Sequence, residues 1–227
     1  MKRVEILLIL ALGILIHANR GVAGQWEVQQ AFDYYLPRDA FWDRAYGGEM
    51  MLVYWQQPAL GVAFAAGLSQ WESTGERATL VSNPGTFEQF QAWEGDIQYV
   101  PLGASLLLRE YYTSRDLGEC QLTLEAGCRY VRCNSDLELV RTERVWLNPG
   151  QIQEVVTEYA VDCDDGIVGR VAASLAIRVN DQSSLFVAGG YQFNIDTGNV
   201  TVDSLGQSTP LDLSALFVRV GLAFFFK

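Results

Sequence analysis

Near the end of the chain, Leu216, Val218, Val220, Leu222, Phe224 and Phe226 share one parity, while Arg219, Gly221 and Ala223 share the other. A period of two is the signature of a β-strand that turns apolar groups to one side and polar or small groups to the other. The same period recurs along the chain. Eight alternating segments are predicted as strands, at approximately 26–36, 46–56, 59–71, 95–109, 119–133, 167–179, 183–195 and 213–226. Their lengths match or somewhat exceed the roughly 9 to 11 residues that a tilted strand needs to cross a bilayer.

The connections alternate in length. Gln57 and Pro58, and then residues 180–182, make tight turns, and 110–118 is of middling length; 37–45, 72–94, 134–166 and 196–212 are long. Short turns at one end and long loops at the other predict an all-β, eight-stranded antiparallel up-and-down transmembrane barrel, with the short turns on the periplasmic side.

The faces carry the same register. Leu60, Val62, Phe64, Ala66 and Leu68 are expected to face lipid, with Gly61, Ala63, Ala65, Gly67 and Ser69 inside. Likewise Leu122, Leu124, Ala126, Cys128 and Tyr130 alternate with Gln121, Thr123, Glu125, Gly127 and Arg129. The inner face is therefore predicted to be small and polar. A soluble barrel or sandwich requires the reverse, because its apolar parity must form the core. An arginine facing lipid at the midplane would cost about 2–4 kcal/mol. Glu49, Glu125, Arg129, Arg170 and Arg219 are accordingly expected inside, as an ion-pair network plugging the lumen. Trp26, Tyr54, Trp55, Tyr111, Tyr112, Phe224 and Phe226 at one end, and Phe41, Trp42, Trp71, Trp93 and Tyr191 at the other, are expected to form interfacial girdles. Pro101, lacking an N–H in a closed ladder, predicts a bulge.

The amino terminus changes the picture from fold to compartment. Lys2 and Arg3, an apolar run over 6–16, and the small residues Gly21, Ala23 and Gly24 predict a signal peptide over 1–24, cleaved after 23 or 24, leaving the barrel in 25–227. The apolar run is about half the roughly 20 residues of a spanning helix. Removing that segment leaves 13 basic and 26 acidic residues, a balance that disfavours nucleic acid as a partner. The only histidine, His17, lies in the same segment, so no imidazole remains for general-base chemistry or for zinc. No enzyme, cofactor or metal site is expected. The acidic runs at Asp162, Asp164, Asp165 and at Asp196, Thr197, Asn199 lack the spacing of a calcium loop.

Four cysteines would meet an oxidising compartment after export. Two alternating stretches, 136–146 and 151–162, flank the turn signal Asn148-Pro149-Gly150. Folding about residue 148 brings Cys133 opposite Cys163 and predicts a disulfide at the base of a protruding external hairpin spanning about 133–163. Its unpaired edges offer strand addition to an extracellular protein partner, with Trp146 near the tip as an anchor. Cys120 and Cys128 lie about 26 Å apart along one strand and are expected to stay free, facing lipid.

The segments FDYYLPRDAFWDRAYGGEMMLVYW, LTLEAGCRYV, AGGYQF and VRVGLAFFF resemble those of small bacterial outer-membrane β-barrel proteins of the OmpA/OmpX-like superfamily. The resemblance implies outer-membrane lipid and the barrel-assembly machinery as partners, and a role in envelope integrity, adhesion or display through external loops. Such proteins usually finish on an aromatic residue that the assembly machinery recognises, whereas Lys227 follows Phe226 here. A narrow pore, and a secreted soluble barrel holding a small apolar ligand, are the alternative readings.

Overall fold

A computed structural model describes residues 24–83, 86–115, 118–148, 151–196 and 198–226. Residues 1–23 of the expected signal segment, and Lys227, lie outside them. The strands are β1 (Gln25–Pro37), β2 (Trp42–Trp55), β3 (Leu60–Ser73), β4 (Arg77–Asn83), β5 (Phe87–Glu94), β6 (Asp96–Ser114), β7 (Gly118–Ser135), β8 (Glu138–Asn148), β9 (Gln151–Ala160), β10 (Asp162–Cys163), β11 (Gly166–Asn180), β12 (Ser183–Asp196), β13 (Asn199–Val202), β14 (Gln207–Pro210) and β15 (Ala215–Phe226). Eight of them close a barrel in the order β1-β15-β12-β11-β7-β6-β3-β2, every neighbour antiparallel. They are the eight strands expected from the alternation. Closure satisfies every strand edge, which is the condition for a sheet to sit in hydrocarbon.

Apolar side chains stand on the outside. Phe32, Met50, Leu106, Leu124, Val187 and Val220 are all exposed, and same-parity neighbours such as Val28, Val62, Phe64 and Leu175 are partly so. On the other parity Asp33, Glu49, Glu125, Arg129, Arg170 and Arg219 are buried. This is the inverse of a water-soluble barrel, and it identifies lipid as the solvent of the outer wall.

Several expectations require correction. The inner face is not uniformly small and polar. Trp42, Trp71, Tyr99 and Phe217 build an apolar core at the long-loop end, and Met51, Val53, Trp55 and Leu107 form another cluster toward the short-turn end. Trp42, Trp55 and Trp71 are therefore interior packing residues and not girdle residues: Trp55 and Trp71 lie on the luminal parity, and the register shift between Trp42 and Arg44 turns Trp42 inward. Trp26, Tyr112, Phe224 and Phe226 face outward at the short-turn end as expected, whereas Tyr111 is on the luminal parity, with the Arg109 guanidinium over its ring. Cys120, expected to face lipid, is covered, with its Sγ directed at the carbonyl of Gly118; Cys128 is half-buried.

Pro101 makes no bulge. The β6–β7 ladder runs through it without a shift, with Pro101 opposite Val131. The β3–β6 ladder lapses between the Ala66–Leu102 and Ser69–Tyr99 pairs and resumes in the same register, so the missing N–H is accommodated by a gap.

The long connections are not irregular loops. β4, β5, β8 and β9 form a separate four-stranded sheet in that order, and β10, β13 and β14 a three-stranded one. Within the hairpin expected over about 133–163, β8 and β9 pair from Glu138–Ala160 to Trp146–Ile152, a register one residue beyond the one expected. Its β8 edge is not free, because β5 pairs along it from Glu94–Glu138 to Phe87–Val145. The outer edge, β9, stays open.

Since the outer wall faces lipid, Val220→Arg should lower the unfolding free energy in lipid vesicles by about 2–4 kcal/mol, measured by urea titration.

Candidate functional site

Six charged side chains from five strands meet in the middle of the barrel. Asp33 on β1 lies opposite Arg219 on β15 in the ladder that closes the barrel. Arg219 donates from Nε to Asp33 Oδ1 at 2.6 Å and from Nη2 to Asp33 Oδ2 at 3.0 Å, and it also reaches Glu49 Oε1 at 2.6 Å. Arg129 donates Nε to Glu49 Oε2 at 3.2 Å and Nη2 to Glu125 Oε1 at 2.9 Å. Ser105 links the same pair, accepting from Arg129 at 2.8 Å and donating to Glu125 at 2.8 Å. Arg170 bridges Glu49 at 3.4 Å and Asp33 at 3.5 Å, with its guanidinium 3.7 Å above the Phe217 ring.

Three carboxylates thus balance three guanidiniums, each residue at most 9% exposed. The barrel makes room for them by using small residues beside each long one. Glu49 is flanked across its two ladders by Ala31 and Gly67, and Arg219 by Ala188 on β12. A Cβ on Gly103 would collide with the Cys128 carbonyl oxygen and lie 2.6 Å from Arg129 Cδ, so that position must stay a glycine for β6 to pair with β7 while Arg129 points inward.

The structure brings all five sequence-predicted network residues together and adds Asp33. Its signal was available, because it shares a parity with Glu27, Gln29 and Tyr35, the buried side of β1. Arg178, which also falls on the luminal parity, sits at the short-turn mouth and pairs with exposed Glu119 at 2.7 Å.

A second polar cluster lies closer to the short turns. Glu27 accepts from Trp55 Nε1 at 2.7 Å and from Gln29 at 2.7 Å. Arg109 stacks 3.7 Å from the Trp55 ring centre, donates to the Pro58 carbonyl at 2.6 Å and approaches Glu27 at 3.7 Å. Tyr111, Gln121, Arg178 and Phe225 line a vestibule of about 900 Å³. Beside Glu49, Arg129 and Arg170, by contrast, the free volume is about 10 Å³, the scale of one water molecule.

The long-loop end is closed by packing. Trp71 contacts Tyr35, Trp42 and Tyr99 with ring centres 5.4, 5.7 and 6.2 Å apart. Residues 211–214 form a strap into this mouth. Gln192 donates to the Leu213 carbonyl at 2.9 Å, and Asn194 donates to Asp212 at 2.8 Å while accepting from the Leu213 amide at 3.2 Å. Leu211 and Leu213 thereby join the aromatic core.

Cys133 at the top of β7 is bonded to Cys163 on β10, with Cα atoms 6.0 Å apart. The bridge ties the barrel wall to the three-stranded sheet, because β10 pairs with β13. Asp165 reinforces it, accepting from the Cys133 amide at 2.9 Å and from the Tyr130 hydroxyl. The carboxylates around it are thus occupied in fixing backbone; among the described residues no group of His, Cys, Asp and Glu could hold a metal ion. Trp146 is half-buried on β8 opposite Ile152.

No family model matches the sequence, and no curated protein matches it. Solved structures do. The outer membrane protein OprG from Pseudomonas aeruginosa is similar over 90% of this chain and 96% of its own, at 13% identity and a TM-score of 0.57. The outer membrane protein AlkL, solved in DMPC lipid bilayers, is similar over 90% of each chain, at 14% identity and a TM-score of 0.50. The chain has the fold of a small outer-membrane β-barrel.

Glu49 contacts all three arginines, so Glu49→Gln should cost about 3–5 kcal/mol in urea unfolding, whereas Arg178→Gln at the wet mouth should cost less than about 1 kcal/mol. Cys133→Ser should accelerate protease cleavage within 135–165, read by mass spectrometry, while the barrel strands stay protected.

Proposed function

We propose that the protein is a closed barrel of a bacterial outer membrane whose work is done on its external face, as a structural and surface-display protein that binds a partner through its external sheets. The carrying observation is the blocked lumen. An ion crossing it would have to pass the aromatic core around Trp71 and then separate a charge-balanced cluster with about 10 Å³ of free space beside it. Opening that cluster exposes buried charges to one another's loss, at a cost of several kcal/mol per broken pair. The wall, in contrast, is predominantly apolar outward, with a buried charge cluster inside, which supports residence in outer-membrane lipid and assembly by the barrel-assembly machinery.

The external face is where the chain invests its remaining length. Among the described residues seven strands stand outside the barrel, and the four-stranded sheet leaves Leu80, Val81, Leu147, Ile152, Val155 and Val156 exposed to water. Exposed apolar area of that kind marks an interaction surface.

Purified protein reconstituted in planar bilayers should show no discrete current steps above the lipid baseline. Steps of reproducible size at neutral pH and moderate voltage would make it a pore and sink this reading.

A further inference from the structure

The external four-stranded sheet has two edges, and they are not alike. β4, the shorter, is interrupted by a register shift between Thr79 and Val81, the kind of bulge that spoils an edge for further pairing. β9 carries no such device. From Ile152 to Ala160 its register to β8 is uninterrupted, and its ten residues contain no proline, glycine, lysine or arginine. All but Tyr159 of those residues are exposed, so both faces stand in water. A long, regular strand edge of this kind, free of proline and lysine, is a template for another strand.

Charge identifies what that strand should be. The external segments 37–45, 72–96, 132–166 and 196–212 hold 18 of the chain's 27 acidic residues and 6 of its 16 basic ones. The head therefore carries a strong negative field, which repels a second copy of itself and attracts a cation-rich partner. On β9 the field is patterned. Ile152, Glu154, Val156 and Glu158 share one face, alternating apolar and acidic at two-residue intervals. Behind them on β8 stand Trp146, Arg144, Thr142 and Val140. Arg144 neutralises only part of this row, pairing with Glu154 at 3.1 Å while that carboxylate stays 42% exposed.

Resting on the reading that the external sheets are the working surface, we propose that β9 receives an extended, basic segment of another protein as a fifth strand. Same-face residues of that segment alternate apolar and basic, the apolar ones meeting Ile152 and Val156 and the basic ones Glu154 and Glu158. Backbone hydrogen bonds along β9 supply the pairing, and the alternation supplies the selectivity.

The test uses the protein refolded into phosphatidylcholine vesicles and a fluorescent peptide of about ten residues, with valine and lysine alternating on one face and threonine on the other. Saturable binding is expected at about 0.15 M salt, where long-range attraction is screened beyond about 8 Å. The double variant Glu154→Lys, Glu158→Lys should bind on the order of tenfold more weakly. The double variant Glu76→Lys, Glu94→Lys, elsewhere on the same acidic head, should bind within about twofold of the parent. A peptide N-methylated at alternate residues should not bind. Heat-dependent gel mobility establishes that each variant is folded. Equal binding of the N-methylated peptide, or equal loss in the two double variants, would reduce the effect to a general field and overturn the proposal. So would a detergent-solubilised dimer that dissociates only on Glu154→Lys, Glu158→Lys, since β9 would then pair with a second copy. Failure of the peptide to bind a barrel that carries no current removes this inference alone and leaves the sealed-barrel reading standing.

Discussion

The contact between Asp33 and Arg219 joins the first strand of the barrel to the last, and the rest of the interior is organised around it. A sheet in hydrocarbon must close on itself, because an unpaired edge has no water to satisfy its N–H and C=O groups. Closure brings residues 186 positions apart onto adjacent strands, and here it places a carboxylate against a guanidinium in two parallel hydrogen bonds. Glu49 then extends the pair across the lumen to Arg129 and Arg170. Each charge is tolerable only because its partners are in place. The network thus ties five strands to one register and gives the fold specificity, beyond whatever net stability it contributes.

The same inversion sets the layering. Charges occupy the middle of the lumen. Aromatic and aliphatic side chains cap them toward the external mouth, and Met51, Val53 and Leu107 pack below. Excluding water from both sides strengthens the charge–charge contacts between the layers. It also makes the barrel a filled post, whose external end is held rigidly enough to support additional sheets. The Cys133–Cys163 bridge and the 211–214 strap fasten the three-stranded sheet to the wall at two separate places. The external surface is then free to be acidic and partly apolar without endangering the fold, since the interior supplies the stability.

Much of this was legible from residues alone. The strand periodicity located all eight spanning strands, and parity assigned Glu49, Glu125, Arg129, Arg170 and Arg219 to one side of the wall. Turn signals and spacing pointed to the hairpin and to Cys133 with Cys163. The parity of Asp33 places it on the buried side of β1, but nothing within β1 names Arg219 as the partner it meets on closure. Trp71 has the luminal parity of its strand, which outweighs its position at the strand end, whereas Trp42 is turned inward only by the register shift between Trp42 and Arg44, which has no signal in the alternation. The pairing of β5 with β8 had no local signal. It joins residues more than 40 positions apart, and only the spatial neighbourhood of two long connections above the same barrel brings them together.

What the sequence determines by itself is whatever depends on a single strand's period: which residues cross the membrane, which side each faces, and the inversion of polarity that makes lipid the outer solvent. That information is local, since alternate side chains on one strand point to opposite faces regardless of neighbours. Tertiary structure decides everything that depends on which strands are adjacent. It alone joins Asp33 to Arg219, lapses the ladder at Pro101 without shifting its register, covers the β8 edge with β5 and leaves β9 open. Those outcomes follow from closure and from the packing of loops above a barrel of fixed circumference, neither of which is written in any one segment.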